Sequence, residues 1–144
     1  MNMLSQPLVS VVCTTYNHEL YIRECLDGFV MQRTNFPIEI IVHDDASTDS
    51  TAAIVKEYEK KHPHLFNNIY RTENWYSQGK DILGYLFTQK ARGKYIALCE
   101  GDDYWTDPLK LQKQVFFLEV NVDYTLVYTG VQKVNSNSEP MVRN

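Results

Sequence analysis

Residues 95–105 read YIALCEGDDYW, an apolar run that leads directly into an acidic turn. The run has the length and composition of a buried strand. The turn carries the three carboxylates of Glu100, Asp102 and Asp103. Carboxylates at a strand end can hold a hard divalent cation, and the remaining ligands can come from water and a substrate phosphate. A solvated turn without a ligand is the alternative interpretation, because Asp and Gly are common in turns of every kind.

An earlier stretch repeats this order of apolar run and polar loop. Residues 8–13 (LVSVVC) predict a strand that is buried on both faces, and the polar loop 14–18 (TTYNH) follows it. Apolar residues then recur at helical spacing over 19–32, with Leu20 on the apolar face and Asn17 as the N-cap. A strand, a short loop and a helix form the first half of a βαβ unit, and such loops bind ligands in open α/β sheets.

Residues 38–43 (IEIIVH) predict a second strand that ends in the loop 44–49 (DDASTD). Ser47, Thr48 or Asp49 can cap the helix that follows. Capping does not explain why two like charges, Asp44 and Asp45, stand side by side at the strand end.

The later elements follow the same reading. We predict a weaker strand over 65–71, a loop over 72–80, a helix over 81–92 closed by Gly93 as a C-terminal cap, a helix that opens at Pro108, and a last strand over 124–130.

Alternating strands and helices predict an α/β fold that is Rossmann-like, with a mainly parallel central sheet flanked by helices. Three polar loops, 14–18, 44–49 and 100–105, then share one edge of the sheet. We expect one domain over residues 1–132, and a polar, frayed tail over 133–144.

Composition bounds the class of protein. The 144 residues are 44% hydrophobic and 22% charged, which is typical of a globular domain. A net charge of −4 argues against nucleic acid as a partner. The three cysteines form no CxxC pair and are expected to be reduced core thiols. Residues 1–8 are too short for a secretory signal and no apolar run approaches a membrane span, so we expect no integral membrane segment and a cytoplasmic location.

Three segments together resemble a known family. Residues 9–17 (VSVVCTTYN), 43–49 (HDDASTD) and 93–103 (GKYIALCEGDD) are similar to the three successive signatures of family 2 glycosyltransferases of the GT-A fold. Three signatures in the family's order are far more specific than one.

The resemblance implies a nucleotide-diphospho-sugar donor, with a UDP-sugar favoured, and an inverting transfer to a hydroxyl of a glycan or lipid-linked sugar in polysaccharide or glycan biosynthesis. It implies a role for seven residues. Thr14 and Tyr16 would line the base, Asp45 would accept a hydrogen bond from it, Asp102 would approach the ribose, Asp103 would ligate Mg²⁺ or Mn²⁺, and Asn74 and Gly79 would lie near the donor.

Two departures from the family pattern matter. Glu100 stands where many relatives carry Asp. The family's carboxylate general base comes from a later segment, so we expect it beyond Asn144 and the GT-A fold to be truncated before its acceptor-side half. The alternatives are therefore a non-catalytic nucleotide-sugar-binding module or a donor-binding fragment that is inactive alone. A phosphate-receiving signalling domain is disfavoured because the first loop carries no acid.

Three residues keep a second interpretation. Tyr16 could simply cover the sheet edge, and Asp44 could bind backbone rather than a ligand. Arg71 could touch the base or a phosphate, or could have an ordinary surface role. A peripheral position at the inner face of the membrane is a further expectation for the protein as a whole.

Overall fold

The structure is a computed structural model that describes residues 6–135 and 137–141. The chain divides into two compact units, Met1–Gln112 and Lys113–Asn144. Its strands and helices follow in the order β1 (Val9–Thr15), α1 (Ile22–Val30), β2 (Ile38–Asp44), α2 (Thr51–Lys61), β3 (Ile69–Tyr70), α3 (Ile82–Tyr85) with a π-helical continuation (Leu86–Lys90), β4 (Tyr95–Glu100) and α4 (Lys110–Val120).

The four strands form one parallel sheet in the order β3-β2-β1-β4. Residue Thr14 of β1 lies in register with His43 of β2 and with Glu100 of β4. The β-branched runs of β1 and β2 are buried because both strands are central and covered on both faces. The predicted α/β fold, a parallel sheet flanked by helices, is confirmed.

Helices cover the two faces of the sheet. On one face Val12, Ile41 and Leu86 form a core cluster against which the α3 segment packs. On the other face α1 brings Cys25 Sγ to 4.0 Å from Cys13 Sγ. All three cysteines, including Cys99, are free thiols in buried positions, as the sequence predicted.

A buried carboxylate joins β1, β2 and the loop before β4 at the amino edge of the sheet. Glu39 accepts hydrogen bonds from the Ser10 hydroxyl at 2.6 Å and from the backbone and guanidinium of Arg92. Gly93 packs so closely here that a Cβ would lie 2.5 Å from the Ser10 nitrogen. Gly93 is therefore required for close approach of the backbone, and its predicted role as a helix cap is wrong, since the helix ends at Lys90.

Several predicted boundaries shift. Helix α1 begins at Ile22 after a turn, so Asn17 is not its N-cap and Leu20 is 80% exposed. Helix α2 begins at Thr51, whose N–H donates to Asp49 Oδ1 at 2.9 Å. The weak third strand shortens to Ile69–Tyr70.

The unit Lys113–Asn144 contains most of α4 and an antiparallel bridge between Val134 and Pro140. The predicted strand over 124–130 is wrong, because this segment has no regular structure. A strand needs a neighbour for its ladder, and within the described residues this segment has none. Residues 136 and 142–144 of the predicted tail lie outside the described residues.

No helix in the described ranges 6–135 and 137–141 is long and apolar enough to cross a membrane.

Candidate functional site: the carboxyl edge of the sheet

The loop after β1 connects the other loops of this edge. Asn17 adopts a left-handed conformation with φ of 53°, and its side-chain oxygen accepts a hydrogen bond from the Thr48 backbone at 2.8 Å. Its own N–H donates to Ser47 Oγ at 3.0 Å. Tyr16, the next residue back, is 45% exposed. The loop therefore fixes the backbone of 44–49 while leaving an aromatic face open to solvent.

Asp44 is used inside its own loop. It is 2% exposed, and its carboxylate accepts hydrogen bonds from the Ser47 hydroxyl at 2.5 Å and from the Ser47 N–H at 3.2 Å. Of the two interpretations left open by the sequence, backbone binding is the one the geometry supports. The Asp44 carboxylate holds the turn in which Ala46 has a positive φ of 64°.

Asp45 holds a second loop. It is 4% exposed, and its two carboxylate oxygens accept the backbone N–H groups of Trp75 and Tyr76 at 2.8 and 2.9 Å. The Asn74 side-chain amide donates to the Asp45 carbonyl at 3.0 Å, and its oxygen accepts the Ser77 N–H at 2.7 Å. Asp45 and Asn74 thus lie in contact, and they fix the loop 74–77.

Gly79 lies farther along this loop. Its φ of +67° favours glycine, and a Cβ would meet nothing within 4 Å. The residue gives the loop its turn and faces open space.

A guanidinium and aromatic stack supports the same loop. The Arg71 guanidinium carbon lies 3.3 Å from the Trp75 ring centroid, and Arg71 Nε donates to His43 Nε2 at 3.1 Å. Because Nε2 accepts this bond, His43 is neutral. Burial, and then the Arg71 charge, lower the pKa of His43 below its ordinary value of 6.5.

Sequence reasoning missed this stack. In the sequence His43 has no metal-ligand spacing, and Arg71 has two open interpretations, contact with the ligand or an ordinary surface role. A histidine inside an otherwise apolar strand was the one signal, because a buried imidazole needs a hydrogen-bond partner.

The turn after β4 packs on the first loop through glycine. Gly101 is buried, its N–H donates to the Thr14 carbonyl at 3.0 Å, and a Cβ would lie 2.6 Å from Thr15 Oγ1 and 2.8 Å from His18 Nδ1. Only glycine permits this approach without displacement of a neighbour. The turn is thereby held close to the end of β1.

The carboxylates of this turn are free. Glu100, Asp102 and Asp103 are exposed, and over residues 6–135 and 137–141 none of their side chains has a hydrogen-bond or ion-pair partner. A pocket of about 270 Å³ brings Thr14, Glu100 and Asp103 together. Tyr16, Asp102 and Gly79 do not line this pocket.

The donor set of the turn fits a hard divalent cation. The described residues contain no preformed cluster of three or more His, Cys, Asp or Glu ligands. Mg²⁺ needs no such cage, because it usually binds one or two carboxylates together with water and substrate phosphate. The uncommitted oxygen atoms of Asp102 and Asp103 satisfy that requirement.

The carboxyl edge of this parallel sheet carries a free acidic turn, an open aromatic ring and a buried carboxylate, and open α/β sheets bind their ligands at this edge. The family model described as "Glycosyl transferase family 2" matches residues 10–144. The chain belongs to this family of glycosyltransferases.

The chain is similar to curated relatives and to solved structures of glycosyltransferases. "Uncharacterized protein Rv1520" from Mycobacterium tuberculosis is 50% identical over 128 residues, which are 88% of this chain and 36% of that protein. The structure of "Mannosyltransferase PcManGT from Pyrobaculum calidifontis in complex with GDP-Man and Mn2+" is 30% identical with a TM-score of 0.65, over 78% of this chain and 32% of that one. The structure of "S. aureus TarS 1-349 in complex with UDP-GlcNAc" is 30% identical with a TM-score of 0.64, over 78% and 31% of the two chains. The chain spans about a third of the length of each.

Proposed function

We propose that this chain binds a nucleotide-diphospho-sugar donor, with a UDP-sugar favoured, at the carboxyl edge of its sheet. The observation that carries the proposal is the set of three uncommitted carboxylates at the end of β4 and in its turn, of which Glu100 and Asp103 line a pocket together with Thr14. Exposed like charges with no protein partner favour a site that is completed by a cation and its ligand. The GDP-Man, UDP-GlcNAc and Mn²⁺ named for the two structural neighbours support the same ligand class.

The nucleoside end of the donor would lie toward the first and second loops. The exposed ring of Tyr16 can stack on a base, an interaction worth ~1–3 kcal/mol, and Thr14 would line the base as well. Each carboxylate oxygen has two lone pairs, so Asp45 can accept a base N–H while it also holds Trp75 and Tyr76. Asn74 and Gly79 would shape the loop beside the donor.

The diphosphate end would lie at the acidic turn. Asp103 would hold Mg²⁺ or Mn²⁺, and Asp102 would approach the ribose. When bound, such a cation neutralises charge that develops on the leaving nucleoside diphosphate. The close approach of Gly101 to Thr15 and His18, together with its hydrogen bond to the Thr14 carbonyl, would keep the turn aligned for this role.

The transfer itself would be inverting, with a hydroxyl of a glycan or lipid-linked sugar as acceptor. A carboxylate general base must deprotonate that hydroxyl. We propose that this base lies beyond Asn144, so the function proposed for the present chain is donor binding. A cytoplasmic location, peripheral to the inner face of a membrane, and a role in polysaccharide or glycan biosynthesis are parts of the same proposal.

Calorimetric titration with UDP tests the donor site. We expect saturable binding in Mn²⁺, loss of binding in EDTA, and at least a ~10-fold weaker affinity in Mn²⁺ for Asp103→Ala, because the variant removes a ligand of the cation. Asp123→Ala is the matched control, since Asp123 is another exposed carboxylate without a partner among the described residues. It should bind like the unmodified chain.

Titrations with GDP and dTDP decide the base. The proposal would be overturned if none of the three nucleotides binds in Mn²⁺, or if Asp103→Ala binds UDP as tightly as the unmodified chain does.

A further inference from the structure

The amino edge of the sheet, at the opposite end of the strands from the acidic turn, carries a cleft of about 440 Å³. We name it the amino-edge cleft and define it by the six residues on which its chemistry depends: Phe29, Arg33, Phe36, His64, Phe66 and Asn67. Its volume falls within the range of ~300–1,000 Å³ that is usual for small-molecule sites. Strands of this length separate the two edges by roughly 20 Å, so the cleft is independent of the proposed donor site.

The cleft has an aromatic floor. Phe29 and Phe66 are buried and Phe36 is half-buried, and Pro37 lies beside them. Apolar surface of this kind favours a ligand with an apolar body, because transfer of that body from water is favourable.

The polar groups of the wall divide into committed and uncommitted ones. Glu39 is committed, since its two oxygens accept hydrogen bonds from Ser10 and Arg92. Gln32 is committed to the backbone of Gly28, Asp107 and Leu111. Neither can turn to a ligand without loss of bonds that fix the fold.

The uncommitted side chains can each donate a hydrogen bond. Across the described ranges, Arg33, His64 and Asn67 have no side-chain hydrogen bond or ion pair. The Glu39 charge is balanced by Arg92 through a contact of 2.7 Å, so Arg33 adds a surplus positive charge. The cleft therefore carries a positive charge although the whole chain has a net charge of −4. Uncommitted donors and a positive charge above an aromatic floor are complementary to an anionic head on an apolar body.

We propose that the amino-edge cleft is a binding site for a small amphipathic anion, a carboxylate or phosphate monoester carried on an apolar chain or ring. The anionic head would pair with Arg33 and accept from His64 and Asn67. The apolar body would lie against Phe36 and Phe66. This function is separate from donor binding and does not depend on it.

Titration of the isotope-labelled chain, followed by amide chemical shifts, tests the site. The probes are hexanoate, hexyl phosphate and the neutral hexanol. We expect saturable shifts at Phe36, Leu65 and Asn67 with at least one of the two anions, and about fivefold or more weaker binding of hexanol, the effect of one ionic contact at a partly exposed site. The anion that binds more tightly identifies the head group.

Arg33→Gln is the decisive variant, because it removes the surplus charge from an exposed side chain and leaves the backbone bond of Arg33 to Pro108 in place. It should weaken the anion about fivefold and leave hexanol unchanged. Lys60→Gln removes a cation outside the cleft and should change neither. Equal binding of hexanol and the anions, unchanged binding by Arg33→Gln, or the absence of localised shifts would overturn the proposal. UDP titration of Arg33→Gln in Mn²⁺ separates this result from the donor proposal, since the variant should bind UDP normally.

Discussion

Two Asp-Asp pairs stand at strand ends on the same edge of this sheet, and their environments are opposite. Asp44 and Asp45 are almost fully buried, and their oxygens accept hydrogen bonds from Ser47, Trp75 and Tyr76. Asp102 and Asp103 are exposed, and their side chains have no partner in the part of the chain that the structure describes.

The difference shows that a charge at a strand end has two distinct uses. Where a later loop brings backbone N–H groups to a carboxylate, the charge organises that loop and contributes to stability. Where no donor arrives, the charge remains available to an external cation. The first pair should therefore matter most for folding, and the second for ligand binding.

The largest expected effect is at Asp45. Replacement by Ala removes the acceptor of two backbone N–H groups, and charge-assisted bonds of this kind contribute ~1.5–3 kcal/mol each. We expect Asp45→Ala to lower the free energy of unfolding by about 3–5 kcal/mol, measured by urea denaturation. Asp102→Ala should stay within about 0.5 kcal/mol of the unmodified chain. Similar losses for the two variants would remove the distinction between the pairs.

The next effect tests how the free pair is held. In Gly101→Ala the new Cβ would lie 2.6 Å from Thr15 Oγ1, so we expect a loss of about 1–3 kcal/mol in unfolding free energy from overpacking. Gly130→Ala is the control, because a Cβ at Gly130 meets nothing within 4 Å. If both variants unfold at the same urea concentration, the contact between the turn and the first loop does not constrain the acidic turn.

The smallest expected effect is the pH dependence of stability that His43, next to Asp44 in β2, causes. Burial and the Arg71 charge lower the pKa of His43 in the folded state, so the unfolded chain takes up this proton first as pH falls. The stability that neutral His43 contributes is fully present above its ordinary pKa of 6.5 and is lost as pH falls from there toward the lower, folded-state pKa.

Urea denaturation at about pH 7.5 and 5.5 should show a decline in unfolding free energy with falling pH that is smaller in His43→Gln, because that variant lacks the imidazole whose protonation is linked to unfolding. If the unfolding free energy of His43→Gln declines by the same amount, His43 is not a buried neutral imidazole in the folded chain.

Much of the fold follows from local sequence. Runs of β-branched residues define β1 and β2, because central parallel strands bury both faces. The segment 124–130 (YTLVYTG) is likewise rich in aromatic and β-branched residues but forms no strand, since a ladder depends on a neighbour that local sequence does not specify. The sequence likewise predicts that Gly93 caps a helix. The structure shows instead that glycine is needed there because the backbone packs against Ser10, 83 residues earlier.

The candidate site is predictable in its location and less so in its detail. Parallel topology brings the three polar loops to one edge, and the sequence reveals that topology. Which aspartate remains free depends on the backbone N–H groups of Trp75 and Tyr76, which lie about 30 positions after Asp45. The resemblance to the family supplied roles for Thr14, Tyr16, Asp45, Asp102 and Asp103, and those roles remain proposals for titration to decide.

The buried thiols have a practical consequence for experiments on this protein. Cys13, Cys25 and Cys99 are all buried, and hydrogen bonds to Cys13 and Cys99 contribute to a raised pKa of the Cys25 thiol. Thiol reagents should therefore react slowly with the native chain, because the thiolate is the reactive form. The rate at which the buried thiols are modified therefore measures how often the region beneath the acidic turn opens. A cysteine introduced at the exposed Tyr76 would react much faster and would be a selective site for a fluorescent label.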